Sequence, residues 1–321
     1  MAGDAPPTPR SRVLVTGVSG LVGRHTARAL LAQGHSVVGA LRRRLPDAER
    51  LPGVHYVDVG DIGPTTRWEG VLENVDAIVH SAAHAHVMSP TALDELAYRR
   101  VNVEGTRALA SAARKAGVRR LLFVSSIKVN GEATPERAFS ADDIPAPRDA
   151  FGRCKYDGEQ VIRDEMPADA WVIVRPPLVY GRGMRGNFAR MTQLVARGWP
   201  LPFGSIVNRR SFVGAENLAD LIVRALEHPR AVGRVWLAAD GEDLSTPELV
   251  RAISTAQSCA ARIWSCPVPL LRAAGVVLGK GAEMRRLTES LYVDAEPARS
   301  ELGWQPRWRF AEGLSRALGL A

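Results

Sequence analysis

The stretch Arg12-Val13-Leu14-Val15-Thr16-Gly17-Val18-Ser19-Gly20-Leu21-Val22-Gly23 opens the first apolar run of the chain and breaks it with three glycines. The run before Gly17 is aliphatic and short, as a strand buried on both faces should be. From Leu21 onward Val22, Ala29 and Leu30 follow helical spacing, and Gly34 supplies the stop signal. A strand turning through glycines into a helix is the layout that a pyrophosphate requires, because the phosphates must reach bare backbone at a helix N-terminus. Gly17 permits the tight turn, Gly20 lets the phosphates approach, and Gly23 lets helix and strand pack closely. Ser19, Leu21 and Val22 belong to the same phosphate-facing turn.

Further strand candidates follow at 36–41, 54–57, 76–80, 120–125 and 171–175, with helical patterns between them. In one of these, Val103, Thr106, Leu109, Ala110 and Ala113 share a face and Gly117 marks the end. This alternation predicts an α/β protein with a doubly wound, Rossmann-type parallel sheet and right-handed crossovers. Beyond about residue 177 proline, glycine and arginine become frequent and strands shorten. Residues 1–10 are expected to be disordered and 11–177 to form the dinucleotide-binding domain. Residues 178–321 are expected to form mainly a smaller substrate-binding lobe, interleaved with that domain.

The second strand ends in Leu41-Arg42-Arg43-Arg44, without the acidic residue that grips an adenosine 2′-hydroxyl. Arg42 or Arg43 instead suits a 2′-phosphate, which favours NADP over NAD; an exposed basic loop is the alternative. Asp61 and Ile62, after the third strand, are candidates for an adenine contact.

Composition narrows the function further. The net charge of +8 comes from arginines scattered along the chain, with no basic block or aromatic-interleaved ribbon, so nucleic acid is not the expected partner. No stretch approaches the ~20 apolar residues of a membrane helix. The nearest, CPVPLLRAAGVVLG, is interrupted by Pro267, Pro269 and Arg272. With no signal-peptide layout, a soluble cytoplasmic protein is expected. The 3 cysteines form no CxxC pair, which argues against a zinc site or disulfide framework. No GxSxG elbow is present, and no metal site is expected.

TGxxGxxG, HSAAHAHVM (80–88), VNVEGT (101–106), SSIKVNGE (125–132), RPPLVYGRG (175–183) and NRRSFVGAENLADL (208–221) occur in this order. Together they resemble the extended short-chain dehydrogenase/reductases, in their nucleotide-sugar epimerase/dehydratase branch, from about Arg12 to Trp304. SSIKVNGE and RPPLVYGRGMRGNF look most like bacterial surface-polysaccharide enzymes that reduce UDP-4-keto-6-deoxy-N-acetylglucosamine at C4 to UDP-N-acetylquinovosamine. UDP-sugar 4-epimerases share much of the pattern. The resemblance implies a UDP-sugar substrate, an NADP or NAD cofactor and a homodimer. It assigns Ser126 to the sugar C4 oxygen, Lys155 to the nicotinamide ribose, and Ala82 and Ala83 to the cofactor. Pro176, Pro177 and Leu178 would lie beside the nicotinamide. Asn187 would contact the UDP-sugar, and Arg210 and Arg286 would pair with its diphosphate. A diphosphate invites bidentate guanidinium contacts, which supports the arginines on physical grounds. Asn102 is read as structural, holding backbone near the site.

One position departs from the family. Its catalytic pair is Tyr-x-x-x-Lys, one helical turn apart, and here the segment reads Phe151-Gly152-Arg153-Cys154-Lys155. Tyr156 lies five residues beyond position 151, about 140° around a helix, and cannot replace the missing phenol. Phe151 cannot transfer a proton, so an acid worth roughly 10²–10⁴-fold in rate is absent. Either another group donates it (Lys128, His84, His86, Tyr98 or a water beside Ser126), or the protein binds sugar nucleotide with impaired turnover. The remaining alternative is that Phe151 is an introduced change that traps substrate. Reduction tolerates the loss better than epimerisation, which needs one group to remove and return the proton.

Overall fold

The computed structural model describes residues 11–84, 92–134 and 136–320. The N-terminal ten residues, expected to be disordered, and the candidate donor His86 lie outside the described residues. The six expected strands form within a residue of their predicted bounds: β1 (Arg12–Thr16), β2 (Ser36–Leu41), β3 (Val54–Asp58), β4 (Ala77–His80), β5 (Arg120–Val124) and β6 (Trp171–Arg175). Sequence reasoning did not single out β7 (Leu178–Tyr180), β8 (Phe212–Gly214) or β9 (Arg234–Leu237). The main sheet runs in the order β3-β2-β1-β4-β5-β6-β9, and β7 pairs with β8 in a separate parallel ribbon. Strands β1, β2, β4, β5 and β6 are buried almost throughout, whereas the edge strand β3 is partly exposed along its whole length.

The helices are α1 (Leu21–Ala32), α2 (Ala92–Arg99), α3 (Gly105–Lys115), α4 (Ala150–Glu165), α5 (Asn187–Ala196), α6 (Ala215–Glu227), α7 (Thr246–Ala256), α8 (Val268–Val277), α9 (Gly281–Thr288), α10 (Glu296–Leu302) and α11 (Phe310–Leu318). Between α2 and α3 the backbone makes a π-helical turn over Arg100–Glu104. Thr106, Leu109, Ala110 and Ala113 form the buried face of α3, as their spacing predicts.

The chain divides into two compact units, each assembled from separate stretches. The first comprises Met1–Ser125, Cys154–Val174 and Ala219–Arg234; the second comprises Ser126–Arg153, Arg175–Leu218 and Val235–Ala321. The chain leaves the sheet after β5 and again after β6, and each excursion belongs to the second unit.

The second unit has its own aromatic core, in which Tyr180 stacks on Phe188 and packs against Phe310 at 5.7 and 4.9 Å between ring centroids. The Tyr180 hydroxyl donates to Asp240 Oδ2 at 2.7 Å, and Asn217 Nδ2 donates to Oδ1 at 2.7 Å. The Gly214 amide donates to the same carboxyl group. Burial raises the Asp240 pKa above the usual carboxylate range, against the pull of these donors.

In the first unit the glycine turn is packed to the limit of bare backbone. Gly17 has φ +68°, and a Cβ there would stand 2.7 Å from the Ala82 amide nitrogen. A Cβ on Gly23 would come within 2.2 Å of the Gly17 carbonyl oxygen. Gly20 differs: its φ of −78° suits any residue, and its only close neighbour would be Gly17 O at 3.2 Å. Gly23→Ala is therefore expected to cost about 1–3 kcal/mol of stability by overpacking, read as a lower urea midpoint. Gly20→Ala should leave that midpoint nearly unchanged. Equal midpoints for the two variants would contradict the assigned packing.

Candidate active site

The carboxyl ends of β1 and β4 flank the point where strand order reverses, which is where open α/β sheets place their ligands. The N-terminus of α1 is capped there by Gly20 with no side-chain bond, and no acidic residue stands in its first turn. Its first amides are thus presented to an anion by a backbone that carries no Cβ at the approach point. These residues fit a dinucleotide pyrophosphate.

The segment following β4 is fixed against this turn. Ala82 N donates to Thr16 Oγ1 at 3.2 Å, and Ser81 Oγ donates to Thr16 O at 2.7 Å. Asn102 holds its far end: Nδ2 donates to His84 O at 3.0 Å, and the His84 amide donates to Oδ1 at 2.8 Å. Asn102 thus has the structural role its sequence suggested, and the π turn carrying it sets its position.

His80 is fully buried between Thr16 and Thr106, with contacts of 2.7 and 3.0 Å to their hydroxyl oxygens. Thr106 already donates to Asn102 O, so it accepts from His80 Nε2–H, and Nδ1 accepts from Thr16. Burial, then the charge of Lys155, holds the His80 pKa down to about 3. The ring is a neutral strut.

Arg42 Nε stands 3.7 Å from Asp61 Oδ1, and both side chains are exposed. Ile62 packs beneath, where a Cβ on Gly105 would meet it at 2.7 Å.

Lys155 lies on α4 and is 3% exposed. Its ammonium donates to Val124 O, at the carboxyl end of β5, at 2.7 Å and lies 4.4 Å above the Phe123 ring. Burial pulls its pKa down to about 7, although the nearby Glu159 carboxylate opposes the shift. Glu159, also on α4, is itself buried and accepts from Ser125 Oγ at 2.5 Å. Sequence reasoning missed it; its signal is an acid on the same helical face, one turn beyond the lysine.

In the second unit, Ser126 caps a short 3₁₀ turn and accepts from the Lys128 amide at 3.3 Å. The Ile127 amide donates to Pro176 O at 3.0 Å, so the serine turn and the Pro176-Pro177-Leu178 segment are brought together. Lys128 is not a free ammonium: it pairs with Glu132 at 3.3 Å and with Asp149. Asp149 also caps α4 by accepting from Gly152 N at 2.7 Å. Burial works to raise the Asp149 pKa, but the bonds from Lys128 and Gly152 leave it below the usual range. Phe151 follows in the first turn of α4, half-buried.

Arg210 Nη1 donates to Arg286 O at 2.7 Å and Glu289 O at 3.1 Å. Burial and the charge of Arg286 lower its pKa to about 10, with Glu289 opposing them. The two arginines proposed for a diphosphate are therefore close enough to repel, a tension that an anion relieves. Asn187 is exposed at the start of α5. Of the substitute donors, Tyr98 is buried in edge contact with His84 at 5.1 Å between ring centroids. His84 Nε2 is buried without a partner among the described residues.

Residues 13–239 match the NAD dependent epimerase/dehydratase family. The chain belongs to that family. It is 40% identical to a UDP-glucose 4-epimerase of Vibrio cholerae, covering 95% of this chain and 93% of that one. It is 25% identical to an N-acetyl-alpha-D-glucosaminyl-diphospho-ditrans,octacis-undecaprenol 4-epimerase of Escherichia coli O157:H7, with 95% and 94% covered. Among solved structures, MoeE5 in complex with UDP-glucose and NAD superposes with a TM-score of 0.75 at 24% identity, covering 96% of this chain and 98% of that one. The chain is thus a nucleotide-sugar epimerase/dehydratase-family enzyme that uses an NAD-type dinucleotide. No helix among the described residues is long and apolar enough to cross a membrane.

The depressed pKa of Lys155 has a measurable sign. Between about pH 7 and the ordinary lysine value of 10.5 the unfolded chain holds this proton and the folded chain does not, so stability rises with pH there. The stability gap between the protein and its Lys155→Met variant should therefore shift in favour of the unchanged protein between pH 7.5 and 9.5. A gap independent of pH in urea melts would remove the assigned titration.

Proposed function

We propose that the protein reduces the C4 ketone of a UDP-linked 4-keto-6-deoxy-hexosamine in surface-polysaccharide synthesis, as a homodimer in the cytoplasm. The observation that carries this reading is Phe151, one turn before the buried Lys155, where the family pattern places its proton-transferring tyrosine. The bound dinucleotide supplies the hydride. Ser126 hydrogen-bonds the C4 oxygen as charge develops on it. Lys155, charged below about pH 7, binds the nicotinamide ribose and provides positive potential for the developing alkoxide. Once hydride has reached C4, the alkoxide is basic enough to take its proton from water or from a lysine ammonium. An acid at position 151 is therefore dispensable. Arg210 and Arg286 hold the diphosphate, Asn187 contacts the UDP-sugar, and Pro176 and Leu178 line the nicotinamide.

Gly17 to Gly23, Ala82 and Ala83 seat the pyrophosphate, and Asp61 and Ile62 seat the adenosine. Arg42 is free to turn from Asp61 to a 2′-phosphate, since their contact is exposed and long. Lys128, tied to Asp149 and Glu132, acts by orienting the serine turn and holding a proton near it.

The 40% identity to a UDP-glucose 4-epimerase favours a second reading, C4 epimerisation. That reaction must remove and return the C4 hydroxyl proton through one group, which Phe151 cannot do.

The test compares the protein with Phe151→Tyr, following NADH and NADPH oxidation with the 4-keto substrate. Reduction by the unchanged protein, with less than about tenfold gain from tyrosine, is expected. A gain of 10²–10⁴-fold would show that the reaction needs an acid at position 151, and the reductase reading of this chain would fall.

A further inference from the structure

Helix α8, in the second unit, has the sequence VPLLRAAGVV and buries only Leu271 and Gly275 fully. That stripe faces α9, where a Cβ on Gly275 would meet the Met284 side chain at 2.8 Å. The rest of the helix and its C-terminal turn project apolar side chains outward: Leu270 is 62% exposed, Val276 70%, Val277 85% and Leu278 71%. A surface helix ordinarily presents a polar face to water, and one that is apolar around its whole circumference is ordinarily covered.

What surrounds these side chains identifies the cover. From Cys259 to Ala282 there is no Asp or Glu, while Arg262, Arg272 and Lys280 are present. Helix α9 adds the exposed Arg285, and its acids are engaged: Glu283 lies 3.5 Å from Arg190, and Glu289, beyond its end, lies 3.6 Å from Arg272. Trp264, 52% exposed, precedes α8, and its amide donates to Leu201 O, two residues from the exposed Trp199. The hairpin is pre-formed: Pro267 caps α8, and Lys280 N closes its end on Gly275 O at 2.7 Å.

We infer that the α8–α9 hairpin, with Trp264, is a docking surface for an anionic phospholipid bilayer. Exposed aliphatics, tryptophan and basic residues without an acidic partner among the described residues, here Lys280 and Arg285, are the combination that seats a helix in the plane of a bilayer interface and draws it to acidic headgroups. A second copy is a poor occupant. A twofold interface sets the same patch against itself, so Lys280 and Arg285 would face like charges.

The test uses the full chain and sedimentation with vesicles of phosphatidylcholine alone or with 30% phosphatidylglycerol, at about 50 and about 300 mM salt. Binding to the anionic vesicles alone, weakened by salt and accompanied by a blue shift of tryptophan fluorescence, is expected. Val277→Asp should reduce that binding at least tenfold. Lys280→Ala should reduce it about fivefold, from about 1 kcal/mol per basic residue. Neither variant should change the thermal midpoint, because both side chains are exposed. Absence of binding to anionic vesicles, or equal binding by Val277→Asp, overturns the assignment. So does a dimer in sedimentation velocity that Val277→Asp dissolves, which would make this face a contact between copies.

Discussion

In the glycine turn of the first unit two stretches of bare backbone pack directly against each other. Gly23 lies against the Gly17 carbonyl and Gly17 against Ala82, at distances that leave no volume for a Cβ on either glycine. The rest of the site depends on this approach. It sets the N-terminus of α1 over the end of β1, and it draws the segment after β4 into register through Thr16 and Ser81. The same segment is then tied by Asn102, whose position comes from the π turn before α3. Close backbone packing, and not side-chain charge, forms the anion site in the first unit.

A second constraint follows from burying Lys155. An ammonium removed from water must be compensated, and here the compensation is a carbonyl, an aromatic face and a carboxylate one turn along the helix. The compensation is partial, so the amine titrates near neutrality. In the proposed reaction, a chain that keeps this lysine but carries Phe151 retains the electrostatic half of the catalytic pair and loses the proton-transferring half. That combination suits a reaction in which charge stabilisation during hydride transfer matters more than proton removal.

Much of this was legible in the residues. The strands of the sheet read clearly because each is a short apolar run bounded by turn signals, and the parallel order followed from their alternation with helices. The short strands β7 and β8 were not legible, since three-residue strands carry no periodicity. Interleaving of the two parts was expected, but the stretches that make up each unit were not legible, because the chain leaves and re-enters its sheet. Motif positions singled out Ser126, Lys155 and the arginine pair as candidates, but not what holds them. Glu159, Asp149 and His80 act through contacts between residues distant in sequence or a helical turn apart, which spacing alone does not announce. Lys128, a candidate substitute acid in the sequence, is ion-paired with Glu132 and Asp149.

The most direct measurement is isotopic. The protein with Phe151 in place is incubated with UDP-4-keto-6-deoxy-hexosamine and NADH carrying deuterium at the transferable position, and the sugar product is examined by NMR. The account predicts one deuterium at sugar C4 for each dinucleotide oxidised. Sugar interconversion without label from the added NADH, and without its net oxidation, would contradict it.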